Sequence, residues 1–250
     1  MNLSRLLRAR AEANRPVRVG LIGAGKFGAM FLAQARVTPG LHVMGIADLD
    51  PQAARRALAA TGWPPEQAAA KDFAAALENG TTRITDDAAA LIGASGLEVV
   101  VDATGHPAAG LRHARLCRAQ GRHLVMVNVE ADALAGPLLA RDAEKAGLVY
   151  SLAYGDQPAL VCELVDWART CGFPVLAAGK GTKYLPAYHA STPETVWQHY
   201  GLDPAQAEAG GLNPQMFNSF IDGTKSAIEM AAVANATGLK PAPDGLGFPP

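Results

Sequence analysis

Three glycines at the end of a short apolar run constrain the fold of this chain more than any other feature. The run Val17–Ile22 has the length and β-branched content of a buried strand, and the apolar residues that follow Gly28 are typical of a helix. Gly23, Gly25 and Gly28 therefore lie at a predicted strand-to-helix turn. In a dinucleotide site, such glycines permit the tight turn, the approach of a pyrophosphate and the packing of helix on strand, respectively.

An acidic residue at the expected distance strengthens this interpretation. Asp48 ends the next apolar run, 20 residues past Gly28, where a carboxylate would bind the ribose 2′-hydroxyl of the adenosine half. Asp48 favours NAD because it would repel a 2′-phosphate, but Arg55 and Arg56 follow it closely and would accept one, so the choice between NAD and NADP stays open. The alternative is a glycine turn that binds nothing. The predicted cofactor residues of this region are Gly23, Ala24, Gly25, Lys26, Phe27, Gly28 and Asp48.

Strands and helices alternate along the first 155 residues, which predicts an α/β fold with a doubly wound parallel Rossmann sheet. The strand predicted over 97–105 ends in Thr104 and Gly105, with His106 directly after it, and ligands in such sheets bind outside the carboxyl ends of the strands. These three residues are therefore further cofactor candidates, although a turn histidine without a functional role is equally common. We expect a smaller α/β catalytic and dimerisation domain over 156–236. The irregular tail 237–250 is typical of a segment that lies on another subunit or continues into a longer parent protein.

Charge and composition exclude several classes of protein. The 250 residues have a formal net charge of −1, so no chain-wide basic field favours nucleic acid. No apolar run approaches the roughly 20 residues of a membrane span, and the first 16 residues lack the apolar core of a secretory signal. The 3 cysteines have no metal-ligand spacing. We expect a cytoplasmic protein that acts on a small molecule, without nucleic-acid or membrane partners.

A predicted helix near the end of the chain carries a polar face. The helix begins at Asn213 and extends over about 214–236, with four polar residues at spacings of four, three and four: Asn218, Asp222, Lys225 and Glu229. A solvated, salt-bridged surface is the common form of such a face. A lysine held near carboxylates also provides a proton donor or acceptor at a reacting carbonyl, the step that accompanies hydride transfer. We therefore predict Lys225 as the acid/base group, with Asp222 beside it and with Asn213 and Asn218 as substrate ligands.

Two further places combine charge with an irregular or strand-end position. Lys180 ends a predicted strand over 173–180 and Lys183 follows it, both beside glycines. This arrangement favours an anion, although two solvated lysines are as common. Asn128 and Glu130 end the predicted strand 123–130, where substrate should meet cofactor. A carboxylate there requires a lysine, a substrate hydroxyl or a metal ion as partner.

These motifs together resemble a known family. The glycine turn with Ala47-Asp48, and the segments 99–105, 127–130 and 222–227, resemble homoserine dehydrogenase-like oxidoreductases. The segments 179–193 and 213–220 are similar to the branch that includes the deoxyxylulose-phosphate reductoisomerase-like enzymes. One difference is the pair Asn128-Val129, which stands where many of these enzymes carry Asn-Lys.

The resemblance implies a homodimeric or larger NAD(P)H-dependent oxidoreductase that acts on a small polar hydroxy or oxo compound. The implied example is reductive isomerisation of a sugar phosphate such as 1-deoxy-D-xylulose 5-phosphate, a step of isoprenoid biosynthesis, with a divalent metal such as Mg²⁺ or Mn²⁺. Lys183 and Lys225 would then contact the substrate and Glu130 would lie near the reacting carbons. The alternatives are a homoserine or other hydroxy-acid dehydrogenase and an NAD(P)-binding sensor without turnover.

Overall fold

The computed structural model describes residues 2–181 and 184–245. The chain divides into two compact units, Met1–Ala153 and Tyr154–Pro250. No helix in the described part of the chain is long and apolar enough to span a membrane.

A parallel six-stranded sheet forms the centre of the first unit. Its strands are β1 (Val17–Ile22), β2 (Leu41–Ala47), β3 (Arg83–Thr85), β4 (Val99–Asp102), β5 (His123–Met126) and β6 (Tyr150–Leu152). All neighbouring strands pair in parallel, in the order β3-β2-β1-β4-β5-β6. This is the strand order of the Rossmann fold, and the order reverses between β1 and β4. The predicted α/β doubly wound sheet is confirmed.

Seven helices connect and cover these strands. They are α1 (Leu3–Glu12), α2 (Lys26–Ala35), α3 (Pro51–Ala60), α4 (Phe73–Asn79), α5 (Ala88–Gly93), α6 (Pro107–Ala119) and α7 (Val129–Lys145). Successive strand residues enter different apolar cores, as with Leu21 and Ile22 of β1. One core includes residues of α2 and α3, and the other includes residues of α4 to α7. Both faces of the sheet are therefore covered, as a parallel sheet requires.

A charged cluster lies where α1 meets the start of the sheet. Glu98 accepts hydrogen bonds from Arg10 Nη2 at 2.7 Å and from the Arg18 backbone N–H at 3.0 Å. The Arg18 Nε is 3.2 Å from the same carboxylate. Burial acts to raise the pKa of Glu98, but these hydrogen bonds and charges outweigh it, so the pKa lies below its ordinary value.

The predicted strand 123–130 is wrong in its second half. The strand β5 ends at Met126 and α7 begins at Val129, so Glu130 lies in the first turn of a helix. The side-chain oxygen of Asn128 accepts the Ala131 N–H at 3.1 Å. Asparagine is among the best N-cap residues, and this local hydrogen bond overrides the strand propensity of Val127 and Val129.

The second unit is helical in the part that the structure describes. Its helices are α8 (Gln157–Thr170), α9 (Val196–Tyr200), α10 (Pro204–Ala209), α11 (Pro214–Ile221) and α12 (Thr224–Thr237). A small apolar core contains Val196, Trp197 and Ala207, with Phe217 packed against it. The strand predicted over 173–180 is wrong, because this segment is irregular and makes no strand pairing.

The single helix predicted over about 214–236 is also wrong. It is two helices, because α11 ends at Ile221 and α12 begins at Thr224. Gly223 between them has a φ of +92°, a conformation that no helix contains and that favours glycine. Asn218 and Asp222 therefore belong to one element, and Lys225 and Glu229 to the next.

Candidate dinucleotide and catalytic sites

The three glycines of the turn after β1 have three different surroundings. Gly23 has a φ of +96°, and a Cβ built on it would lie 2.8 Å from the carbonyl oxygen of Ala103. A Cβ on Gly28 would lie 2.3 Å from the Gly23 carbonyl oxygen, so α2 packs directly on the turn. A Cβ on Gly25 would meet no atom within 4 Å. The turn thus has one glycine with a positive φ, one packed glycine and one glycine that faces open space, which match the three glycine roles in a dinucleotide turn.

The start of α2 follows this turn. Gly25 is the N-cap residue and offers no side-chain hydrogen bond, so the first N–H groups of the helix have no cap of the usual kind. Lys26 and Phe27 form the first turn and are exposed. A helix start with free N–H groups favours an anion such as a phosphate.

Asp48 lies directly beside the glycine turn, at the end of β2. Its Oδ2 accepts the Ala24 N–H at 2.7 Å, and its Oδ1 accepts the Asp50 N–H at 2.9 Å. The carboxylate is therefore fixed in orientation while its remaining lone pairs stay available to hydroxyl donors. Arg56 is paired with Asp50 at 2.9 Å on the surface, and Arg55 is exposed.

The loop after β4 lies against the glycine turn. The contact between Gly23 and Ala103 brings the two loops together, and the Ala103 N–H donates to the Ile22 carbonyl at 2.8 Å. Gly105 has a φ of +64° and is exposed, and the exposed His106 is the N-cap residue of α6. The structure therefore places Thr104, Gly105 and His106 at the same edge of the sheet as the glycine turn.

A buried network underlies this loop, and the sequence analysis did not include it. Asp102 is fully buried, and its Oδ1 accepts both the backbone N–H of Thr104 at 3.1 Å and the Thr104 hydroxyl at 2.8 Å. The Oδ2 lies 2.7 Å from Nδ1 of the buried His113 on α6. Burial acts to raise the pKa of Asp102, but the hydrogen bonds from His113 and Thr104 outweigh it and hold the pKa below its ordinary value.

Asn128, the N-cap residue of α7, joins this network from the loop after β5. Its Nδ2 donates to Thr104 Oγ1 at 3.1 Å and to the His106 carbonyl at 2.9 Å, while its Oδ1 caps α7. Asn128 is 1% exposed, so its amide is committed to the protein and not presented to a substrate. Glu130, in the first turn of α7, is half-buried.

A buried carboxylate with two lysines occupies the second unit. Glu229 of α12 is buried, and its Oε2 forms an ion pair with Lys180. The Lys225 Nζ lies 4.0 Å from the other carboxylate oxygen. The two lysine side chains keep 16% and 26% of their area exposed, whereas the carboxylate side chain keeps 3%. The structure therefore joins two predicted residues, Lys180 and Lys225, through Glu229.

Asn218 and Asp222 form a separate hydrogen-bonded group whose contacts are within the protein. Asn218 is buried, exchanges hydrogen bonds with Ser191 through both its oxygen and its amide, and donates to Asp222 Oδ2 at 2.9 Å. Asp222 Oδ1 accepts the Thr224 N–H at 2.8 Å. These contacts anchor the irregular segment before α9 and hold the turn between α11 and α12.

The remaining predicted residues are placed as follows. Asn213 is exposed and caps α11 by accepting the Met216 N–H at 3.2 Å. Lys183 lies outside the described residues. Among residues 2–181 and 184–245, no group of three or more His, Cys, Asp or Glu side chains is placed to hold a metal ion. The described residues of either unit thus do not by themselves supply a three-ligand site for the divalent metal that the resemblance implies.

One sequence signal would have revealed the Asp102 network. An aspartate as the last residue of an apolar strand, in Val99-Val-Val-Asp102, is costly to bury unless it is bonded. His113 lies two turns into the next helix and carries no comparable signal, since a histidine among alanines and arginines is equally typical of a surface. Ser191 likewise gives no signal that it is buried.

The second unit matches a known family. Residues 155–250 match the family model described as Oxidoreductase DRL, catalytic domain. A search of curated proteins finds no match for the chain.

Solved structures resemble the chain over part of its length. An NAD-binding oxidoreductase from Klebsiella pneumoniae is 20% identical, with 63% of this chain and 39% of that chain covered and a TM-score of 0.43. The WlbA dehydrogenase from Bordetella pertussis, solved with NADH and UDP-GlcNAcA, is 21% identical, with 63% and 44% covered and a TM-score of 0.43.

The myo-inositol dehydrogenase from Lactobacillus casei, solved with NAD(H) and myo-inositol, is 13% identical, with 72% and 50% covered and a TM-score of 0.48. The chain thus spans half or less of the length of these structures. Of the comparisons, it is the family model that bears on chemistry, and its match confirms the prediction that this chain carries an oxidoreductase domain.

Proposed function

We propose that the protein is an NAD(P)-dependent oxidoreductase that acts on a hydroxyl or carbonyl group of a small, anionic substrate. One observation supports it above the others: an open glycine turn with Asp48 beside it, in a sheet of Rossmann order, precedes a segment that matches an oxidoreductase catalytic domain.

The residues present fit a dinucleotide. Gly25 and the first N–H groups of α2 would hold the pyrophosphate, and Asp48 would accept the ribose hydroxyls of the adenosine half. When bound, the nicotinamide supplies or accepts a hydride at the substrate carbon. Asp48 repels a 2′-phosphate, and Arg56 is held by Asp50, so we propose that NAD is preferred over NADP.

Hydride transfer to a carbonyl also requires a proton for the oxygen, and Lys225 is the proposed donor. The carboxylate of Glu229 orients the Lys225 ammonium from 4.0 Å, while Lys180 neutralises that carboxylate. In the reverse direction the neutral amine of Lys225 would accept the hydroxyl proton. Asp222 then acts through the turn that it holds before Lys225.

The charge of this group of residues favours an anionic substrate. Two lysines and one carboxylate leave one positive charge when all three are ionised, in a partly buried place where an anion gains most from it. A sugar phosphate such as deoxyxylulose 5-phosphate, which the sequence resemblance implies, carries such a charge. A carboxylate-bearing hydroxy acid also does, so the phosphate has to be tested directly. Because the described residues of each unit do not fit a metal, no step is assigned to one.

The test is oxidation of the reduced cofactor by purified protein, with deoxyxylulose 5-phosphate and its unphosphorylated form as paired substrates. We expect turnover with the phosphorylated compound, and a loss of about hundredfold or more in Lys225→Ala while cofactor affinity is unchanged. Lys240→Ala is the matched control, because Lys240 is an exposed lysine of the same unit. It should behave like the wild type.

Other outcomes distinguish the alternatives. Turnover of homoserine or another hydroxy acid with NAD⁺, without turnover of the phosphate, would support the hydroxy-acid dehydrogenase. Cofactor binding without turnover of any oxo or hydroxy compound would favour the sensor. Full activity in Lys225→Ala would refute the role of Lys225.

A further inference from the structure

The buried pair of Asp102 and His113 does no chemistry in the proposed reaction, yet it holds a charge in the centre of the sheet. Asp102 is 0% exposed and His113 is 8% exposed. Burying an ionised carboxylate is costly, and a helix–strand contact of this kind is made more cheaply by apolar side chains. Such a pair is therefore expected to serve a purpose other than stability.

The contacts of Asp102 show what it holds. Its Oδ1 accepts the N–H and the hydroxyl of Thr104, at 3.1 and 2.8 Å, so two of the three hydrogen bonds that its carboxylate accepts would be lost without the loop. The Thr104 hydroxyl oxygen in turn accepts Asn128 Nδ2 at 3.1 Å, and Asn128 also binds the His106 carbonyl at 2.9 Å. The network thus fixes the loop 103–106 at Thr104 and at His106.

The second oxygen of Asp102 is occupied by His113 at 2.7 Å. With Asp102 ionised, Nδ1 of His113 carries the proton and donates it. This bond prevents the carboxylate from rotating away from Thr104, because rotation would leave a buried oxygen without a partner.

The position of the loop 103–106 in the sheet indicates which part of the cofactor it would contact. The loop follows β4, on one side of β1, whereas Asp48 follows β2, on the other side. A dinucleotide with its adenosine ribose at Asp48 crosses the glycine turn at the point where the strand order reverses, and its other half lies over β4. The loop 103–106 therefore faces the nicotinamide half.

We propose that Asp102 and His113 are positioning residues that fix the loop 103–106 for the nicotinamide half of the bound cofactor. The inference rests on the proposed cofactor site. The inference predicts different effects on two ligands. Loss of the network should weaken binding of the whole dinucleotide, but not of ADP-ribose, which lacks the nicotinamide.

The test is titration of the folded protein with NADH and with ADP-ribose, for the wild type and for three variants. In Asp102→Asn the amide keeps the shape but weakens the bonds to Thr104, and we expect NADH to bind about tenfold more weakly while ADP-ribose binds as in the wild type. His113→Leu should show the same pattern. His113→Asn, whose amide places a donor near the position of Nδ1, should restore NADH affinity to within about threefold.

Glu98→Gln is the control, since it removes a charged hydrogen-bond acceptor at the opposite end of the same sheet. It should lower stability without changing either affinity. Equal loss of NADH and ADP-ribose binding in Asp102→Asn, or no loss of either, would overturn the inference, as would a failure of His113→Asn to restore binding. A wild type that binds neither ligand would instead refute the proposed cofactor site.

Discussion

At the scale of single residues, two glycines of the turn are expected to have different roles: Gly28 in stability and Gly25 in cofactor binding. Gly28→Ala should destabilise the protein by about 1–3 kcal/mol, because its Cβ would lie 2.3 Å from the Gly23 carbonyl oxygen and the turn would have to shift. Gly25→Ala should change stability by less than about 1 kcal/mol, because its φ of −70° suits alanine and its Cβ meets no atom within 4 Å. Urea unfolding of the two variants against the wild type measures both. Equal stability of the two variants would contradict this assignment.

The contacts within the glycine turn follow more directly from the sequence than the contacts within the second unit. Gly23, Gly28 and Asp48 are fixed by short-range backbone geometry, and the spacing of the motif contains that information. The ion pair of Lys180 with Glu229 joins residues 49 positions apart, so the sequence alone gave no reason to connect them.

At the scale of elements, the break between α11 and α12 determines where Lys225 lies. Gly223→Ala should destabilise the second unit by about 1–2 kcal/mol, because alanine at a φ of +92° is strained. Thermal unfolding followed by helix signal measures this loss. A stability equal to or above that of the wild type would mean that the two helices join into one without cost, as the sequence pattern predicted.

The two wrong predictions of secondary structure in the second unit arose because a local sequence pattern does not show tertiary contacts. Apolar periodicity continues on both sides of Gly223, and an isolated glycine within a helical pattern is often tolerated, so the pattern did not show the break. The segment 173–180 has strand-like composition but no pairing partner, and a strand forms only in a sheet. By contrast β1, β2, β4 and β5 were predicted because their apolar runs are long enough to be buried on both faces.

At the scale of the whole molecule, the charged cluster at Glu98 links stability to pH. The pKa of Glu98 is lowered in the folded state, so its stabilisation is present above the ordinary carboxyl pKa of about 4 and is lost as pH falls through the folded value. The pKa of Asp102 is also lowered, so its effect on stability has the same pH dependence as that of Glu98. Burial raises the pKa of Asp132, so its effect on stability has the opposite pH dependence.

The contribution of Glu98 is therefore best measured as a difference. Glu98→Gln should be less stable than the wild type near neutral pH, and the difference should shrink as the pH falls below the ordinary carboxyl pKa and through the lower pKa of Glu98 in the folded protein. Urea midpoints of both proteins over this range give the result. A difference that stays constant down to the lowest pH would show that the carboxylate charge does not contribute.

The fold of the first unit was predictable as a whole, because strand order follows from the alternation of strands and helices once the glycine turn fixes the first crossover. The fold of the second unit was not predictable, since its described part has short helices and irregular segments, whose positions depend on tertiary contacts such as those of Asn218 with Ser191. The family match of residues 155–250 supports the function where the local pattern could not.

The central claim is that the chain binds a nicotinamide dinucleotide at the glycine turn, and calorimetric titration with NADH and NADPH tests it most directly. We expect NADH to bind more tightly than NADPH. We also expect Gly25→Ala to lower the affinity for NADH by about tenfold or more while the variant unfolds like the wild type. The absence of binding by either cofactor, or an affinity in Gly25→Ala equal to that of the wild type, would contradict the claim.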